Sequence, residues 1–418
     1  MPQPDTNRLV QFPTPPAAKR ERDPRIDVFR GLALVMILID HMPRNPYEHI
    51  TLRNFGFSDA AEAFFLMSGI AAGIAYSPKV RQWIAGERPI ADAAAPFWRR
   101  AWTLYRVQIL MTIWVLAMYA VAADVFYRAD FREMHNLGLV FEESGQALLG
   151  LATLGYQIGY VNILPTYIVL MLLAPLAMWG AIRAPWLTLG LSAALWLAAG
   201  WMRWNIPNYP GGGGWFFSPF CWQAIFVVGL CVGVALREGR RFIPASKPLF
   251  WATGAFLVLV LAWRFIPDFG AYMNNQMARL GRAGAPGNIV SHNKTYLAAP
   301  RLLHILALAY FISCIPAIRT WCSMAWAAPL RLLGRQALPV FVASTVLGLG
   351  GQILLDVEPT VAWLPWVLPP VAIGLMLMVA QSHEGSLLPG GSLIRSDRAR
   401  KADPTPADGE RKTERAAS

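Results

Sequence analysis

Apolar residues fall in about ten long blocks, roughly 26–42, 59–78, 102–123, 161–183, 185–201, 219–236, 248–266, 300–318, 336–354 and 361–380. Polar stretches rich in Pro and Gly divide them. Each block approaches the length needed for a helix to cross a hydrocarbon core. The fold class expected is an all-α polytopic integral membrane protein with about 10 transmembrane helices. Segment 146–160 is apolar but short, which predicts a re-entrant or interfacial piece. Residues 1–25 and 382–418 are polar, with Pro, Gly and basic clusters, and predict disordered, solvent-exposed tails around a membrane domain at 26–381. No secretory signal pattern is visible at the start.

Composition agrees. Of 418 residues 55% are hydrophobic and only 15% charged, and mean hydropathy is +0.38. A net charge of +12 would suit nucleic acid, but the basic residues lie between apolar blocks and read as topology determinants. No nucleic-acid partner is expected; the lipid bilayer is. Most of the 37 Lys and Arg sit in alternate loops and the two tails, so the positive-inside rule predicts both termini in the cytoplasm. The four Cys show neither a metal-ligand spacing nor a disulfide framework, and no metal site is expected.

Chemistry enters with the first block, IDVFRGLALVMILIDHM. It carries Asp27 and Arg30 near one end, Asp40 and His41 near the other. Ionisable groups inside a spanning helix are functional candidates by default. From Arg30, His41 lies about three turns on, on the same face and roughly 16 Å further along, with Asp27 within about 40° of that stripe. The second block opens SDAAEAFFLMSG, where Asp59 and Glu62 share a face at the level of His41. That pair also fits a capping box, and the two roles are compatible. Ser68, Gly69 and Gly73 read as close-packing positions.

The same outer level recurs in VNILPTY (Asn162, Pro165, Thr166), SPFCWQ (Trp222, Gln223) and HNKTYLAAPRLLH (His292, Lys294, Arg301, His304). Singly, each is more often an interhelical polar contact. Jointly they predict a polar cavity opening outward. The cytoplasmic level is basic: Arg25, Arg30, Arg99, Arg100, Arg106, Arg331 and Arg335. Arg30 and Arg106 enter apolar blocks, where a guanidinium suits bidentate binding of a phosphorylated ligand. No P-loop, Rossmann glycine motif, nucleophile elbow or zinc motif is present.

The run RIDVFRGLALVMILIDH followed by TLRNFGFSDAAEAFFLMSG resembles the start of the OpgC family, the succinyltransferases of osmoregulated periplasmic glucans. The likeness continues through VNILPTYIVLML, SPFCWQAIFVVG, HNKTYLAAPRLLHILALAY and LRLLGRQALPVFVAST, so it covers nearly all of the membrane portion. The stretch from Asp27 to His41 is also similar in arrangement to the broader transmembrane acyltransferases of cell-surface glycans. The resemblance implies a multi-pass enzyme of the bacterial inner membrane. It would take an acyl group, succinyl above all, from cytoplasmic acyl-CoA to hydroxyls of a periplasmic glucan. No permanently bound cofactor is implied; acyl-CoA, succinyl-CoA above all, is the implied co-substrate.

On that reading the nucleotide phosphates meet Arg30, Arg99, Arg100, Arg106 and Arg335. His41 is general base for the sugar hydroxyl, with Asp59 or Glu62 orienting it. Asp40, about 100° away on the same helix, is a poorer partner. Lys294 or Arg301 holds the free carboxylate of a succinyl group, and Asp27, Asn162, Gln223 and His304 complete the expected substrate-binding set. The competing expectation is a transporter or flippase of a glycan or acidic metabolite, against which stands the lack of a visible inverted repeat or paired broken helices. A third is a non-catalytic membrane scaffold or sensor.

Overall fold

A computed structural model of the protein describes residues 23–385; most of each expected tail lies outside this range. Pro24 opens α1 (Pro24–Asp40), where its missing N–H costs nothing and the Asp23 carboxylate accepts from Arg25 N at 3.1 Å. Then follow α2 (Ala60–Ile84), α3 (Ile90–Val125), α4 (Ile163–Arg183), α5 (Pro185–Trp201) and α6 (Pro219–Arg237). Next come α7 (Lys247–Phe265), α8 (Pro267–Arg282), α9 (Ala299–Ser313) and α10 (Pro316–Ser323). The last are α11 (Ala328–Arg335), α12 (Ala337–Val357) and α13 (Leu364–Glu384). Extended pairing among the described residues amounts to one bridge, Pro207 to Gly214.

Seven of these helices are long and apolar enough to cross a membrane, and the bent pair α9–α10 passes the same test only when its two halves are taken together. The protein is an all-α, multi-pass membrane protein. Two of the ten expected segments, α1 and α5, form helices of 17 residues, short for a span. Three boundaries differ from the sequence reading. Helix α3 begins at Ile90, not near 102, because the Ala-rich turn IADAAAPFWRRA favours helix and buries Ala93, Ala94 and Phe97, the last against Tyr76 with ring centroids 4.6 Å apart. The expected span 300–318 breaks by 81° before Pro316, whose ring removes a donor and holds Ile315 extended at φ −96°, ψ 107°. Helix α13 runs to Glu384 and stops at Gly385 in the left-handed region (φ 75°), beyond the tail boundary expected at 382. Segment 146–160 is a short helix, Ser144–Ala152, followed by a loop.

The bundle is built around α2 and α6. Gly69 and Gly73 on α2 face Gly229 and Gly233 on α6, and a Cβ on any of the four would run into the opposite backbone. Gly31 and Gly334 play the same part between α1 and α11. Around this centre Phe65, Trp222, Phe226 and Phe341 are wholly buried. Outer faces stay apolar, with Trp98, Trp114, Leu176, Trp186 and Trp251 exposed, as a lipid solvent allows. The start of α1, the ends of α6 and α9, and the end of α13 meet at one end of the bundle, shown by the bonds Arg25–Ser313, Arg241–Ser313 and Arg335–Glu384. The other end, called the far end below, holds His41, the start of α2 and the start of α9.

Candidate functional site

At the far end, four charges from the start of α2 and from the segment leading into and opening α9 lock together. Asp59 caps α2: its carboxylate accepts from Ala61 N at 2.8 Å while Glu62 accepts from Asp59 N at 2.8 Å, a complete capping box. Arg301, in the first turn of α9, donates from Nε to Glu62 at 2.6 Å and from Nη2 to Asp59 at 2.9 Å. Lys294 Nζ reaches the same Asp59 oxygen at 2.5 Å. The segment carrying Lys294 is pinned to the start of α6 by Trp222 Nε1, which donates to Lys294 O at 3.0 Å, and by Ser218 N, which donates to Thr295 O at 3.0 Å. Two cations thus neutralise two anions. Glu62 is fully buried, and Lys294 is the most open of the four, its side chain 29% exposed.

His41 caps α1 at the same end. Gly348 on α12 lets that helix pass close, since a Cβ there would press on the Cβ of His41. The imidazole meets the Tyr160 ring edge to face at 4.7 Å, and its Nδ1 is buried without a hydrogen-bond partner. Asp59 and Lys294 lie within electrostatic reach of it and act with opposite sign. Among the described residues no hydrogen bond joins His41 to Asp59 or Glu62, because both carboxylates are taken up by Arg301, Lys294 and the helix terminus. Asp40 turns aside to accept from Thr51 Oγ1 at 2.8 Å, bracing the strap 41–59.

A second histidine stands across Tyr160, unforeseen in the sequence. His135 meets that ring at 5.0 Å, and its Nε2 lies 2.6 Å from Gln352 Oε1 and 2.8 Å from Tyr119 Oη. Tyr119 Oη donates to the same Gln352 oxygen at 2.9 Å. Since Gln352 Oε1 only accepts, the ring proton of His135 sits on Nε2.

At the opposite end a cleft of about 160 Å³ is lined by Arg30, Arg100, Ser68, Tyr76, Tyr167 and Phe341 among others. Arg30, nine-tenths buried, donates to Gly334 O at 3.3 Å and Met67 O at 3.4 Å, tying α1 to α2 and α11. Asp27 is buried where α1 touches Gly334. Arg99 and Arg106 are exposed and outside the cleft lining, and Arg335 pairs with Glu384 at 2.9 Å.

The expected outer set therefore divides. Asp59, Glu62, Lys294 and Arg301 converge. Gln223 instead spans the α5–α6 contact, accepting from Ser192 Oγ at 2.6 Å and donating to Ser192 O at 2.8 Å. His304 is buried at 2.6 Å from Ser58 Oγ and packs on Gly56, so it holds the approach to α2. Asn162 stands at the start of α4, next to Val161, whose carbonyl accepts from Gln108 at 2.8 Å.

A polytopic helical membrane protein with a charge cluster and paired imidazoles at one end, and an arginine-lined cleft at the other, is the class these observations define. The family model described as "OpgC protein" matches residues 22–386, and the chain belongs to the OpgC family. No curated protein and no solved structure matches the chain.

Proposed function

We propose that this protein is a membrane O-acyltransferase of the bacterial inner membrane. It moves an acyl group, succinyl in the first instance, from cytoplasmic acyl-CoA to hydroxyls of periplasmic glucans. The observation that carries the reading is the unpartnered, buried Nδ1 of His41, which caps the same helix whose Arg30 lines the cleft. Family membership supports acyl transfer as the chemistry.

The phosphates of the donor rest against Arg30 and Arg100, and its narrow arm lies along α1 and α12 toward His41. Phe341 lines the cleft and Gly348 abuts His41, so the stretch of α12 between them, about 10 Å long, covers part of the path. His41 takes the proton of the sugar hydroxyl as the oxygen attacks the thioester carbonyl. The tetrahedral intermediate collapses, the CoA thiolate leaves, and the imidazolium returns the proton to it. Lys294, the most open of the cluster, meets the free carboxylate of a succinyl group and shares itself with Asp59.

The test follows acyl groups on periplasmic glucans from a strain lacking the gene, complemented with wild type or His41→Ala at equal membrane abundance. Mass spectrometry and anion-exchange profiles should show acidic esters restored by wild type. His41→Ala should fall by about 10²- to 10⁴-fold, the usual worth of a general base. Equal restoration by both would overturn the role of His41. Absence of esters with either would overturn the glucan as acceptor.

A further inference from the structure

The loop 153–162 and the turn 134–136 are built around Tyr160. Four residues there other than glycine hold the left-handed conformation: His135 (φ 57°), Asn136 (φ 63°), Leu154 (φ 64°) and Tyr160 (φ 65°). Such strain persists only where surrounding contacts impose it, and it gathers at functional sites. The two segments are stitched together by Gly159 N, which donates to His135 O at 2.8 Å, and by the Tyr156 hydroxyl bonded to Asn136 O. Tyr160 consequently has an imidazole against it on two sides, His41 at 4.7 Å and His135 at 5.0 Å. Its own hydroxyl has no hydrogen-bond partner among the described residues, and the ring is only half-buried.

These features set the roles of the two histidines apart. His41 keeps a buried Nδ1 without a hydrogen-bond partner. His135 has its Nε2 committed to Gln352 and Tyr119, and Tyr119 is wholly buried. An imidazole so tethered is a fixed wall, and the phenol leaning on it is held in one place relative to His41. A phenol with an open hydroxyl and an apolar ring suits a pyranose, which offers hydroxyls at its rim and C–H groups on its faces.

We propose that Tyr160 is the seat of the acceptor sugar and that His135 is the residue that positions it. The Tyr160 Oη bonds one hydroxyl of a neutral pyranose unit, which brings a neighbouring hydroxyl to Nδ1 of His41. His135 acts through Tyr160 and does not touch the sugar. The inference rests on the reading of His41 as the base.

The experiment uses purified full-length protein in liposomes, succinyl-CoA as donor and a soluble β-glucan oligosaccharide as acceptor probe. Donor and acceptor KM are measured separately, and binding of the oligosaccharide alone is titrated calorimetrically. Tyr160→Phe keeps the ring and removes the hydroxyl. It should raise acceptor KM and weaken binding about two- to tenfold, the worth of one neutral hydrogen bond, with donor KM unchanged. His135→Phe keeps a ring edge against Tyr160 but cannot donate to Gln352, and should do the same. His135→Gln, whose amide can donate toward Gln352, should recover part of the loss.

Wild-type acceptor KM and binding in both Tyr160→Phe and His135→Phe would overturn the proposal. So would equal rises in donor and acceptor KM, which mark general distortion, or failure of the wild type to bind the oligosaccharide. If His41→Ala transfers as well as wild type, the reading of His41 fails instead, and the binding titration still decides whether Tyr160 is the seat.

Discussion

Arg301 donates from Nε to Glu62 Oε1 at 2.6 Å, and Glu62 has no exposed side-chain surface at all. Removing one partner of such a pair strands a charge away from water, at a cost of roughly 3–5 kcal/mol. Arg301→Gln is therefore expected to lower the thermal midpoint of the detergent-solubilised protein sharply. The double variant Arg301→Gln with Glu62→Gln should recover much of the loss. Midpoints by intrinsic fluorescence check this, and a double variant as unstable as the single one would count against it.

Lys294 differs from Arg301 in being open on one side. Lys294→Met should reduce transfer from succinyl-CoA on the order of tenfold more than transfer from acetyl-CoA, since a charge-assisted hydrogen bond to the free carboxylate is lost. Parallel rate measurements with the two donors supply the ratio. Arg301→Gln should depress both donors alike.

Arg100 and Arg106 are about 1.7 turns apart on α3, yet of the two only Arg100 lines the cleft. Arg100→Gln should raise acyl-CoA KM several-fold, as loss of a charge-assisted contact to phosphate implies. Arg106→Gln should leave it at the wild-type value. Saturation curves in acyl-CoA at fixed acceptor decide the matter, and equal effects from the two would refute the cleft as the nucleotide site.

His135, in a loop outside the spanning helices, titrates below its ordinary 6.5, chiefly because burial disfavours the cation; its bond to Gln352 and the charge of Asp356 pull the other way. The folded state thus binds this proton less readily than the unfolded chain. The stability tied to neutral His135 is complete above about pH 6.5 and is lost as pH falls through the lower folded value. Melting curves between pH 7.5 and about 5 should show a falling midpoint. The fall should be shallower in His135→Gln, which cannot titrate.

Sequence pattern carried most of the architecture because hydrocarbon length and residue size leave few options. Apolar blocks became helices, and Gly69 and Gly73 became the close contact foreseen for them, although their partners Gly229 and Gly233 were not singled out. The spacing of Asp59 and Glu62 showed a shared helix face and a capping box, and both are present. Which cations they would meet depended on how α9 folds back on α2, which spacing within one helix does not encode. Gln223 shows the same limit, since a polar residue facing a cavity and one facing a neighbouring helix have the same period. His135 and Tyr160 lie in loops without periodicity, and Gln352, which bonds His135, is far along on α12. Only the assembled bundle unites them.

The neutral cluster at the far end also bears on how the protein is made. Asp59 and its cation Lys294 are 235 residues apart in sequence. Synthesis runs from the N-terminus, so α2 leaves the ribosome long before its counter-charges exist. Two carboxylates at the mouth of a spanning helix must stay wet, or be sheltered by the insertion machinery, until α9 arrives. Final seating of α2 against the core is thus a late event in biogenesis, and a chain cut short before Lys294 strands both acids.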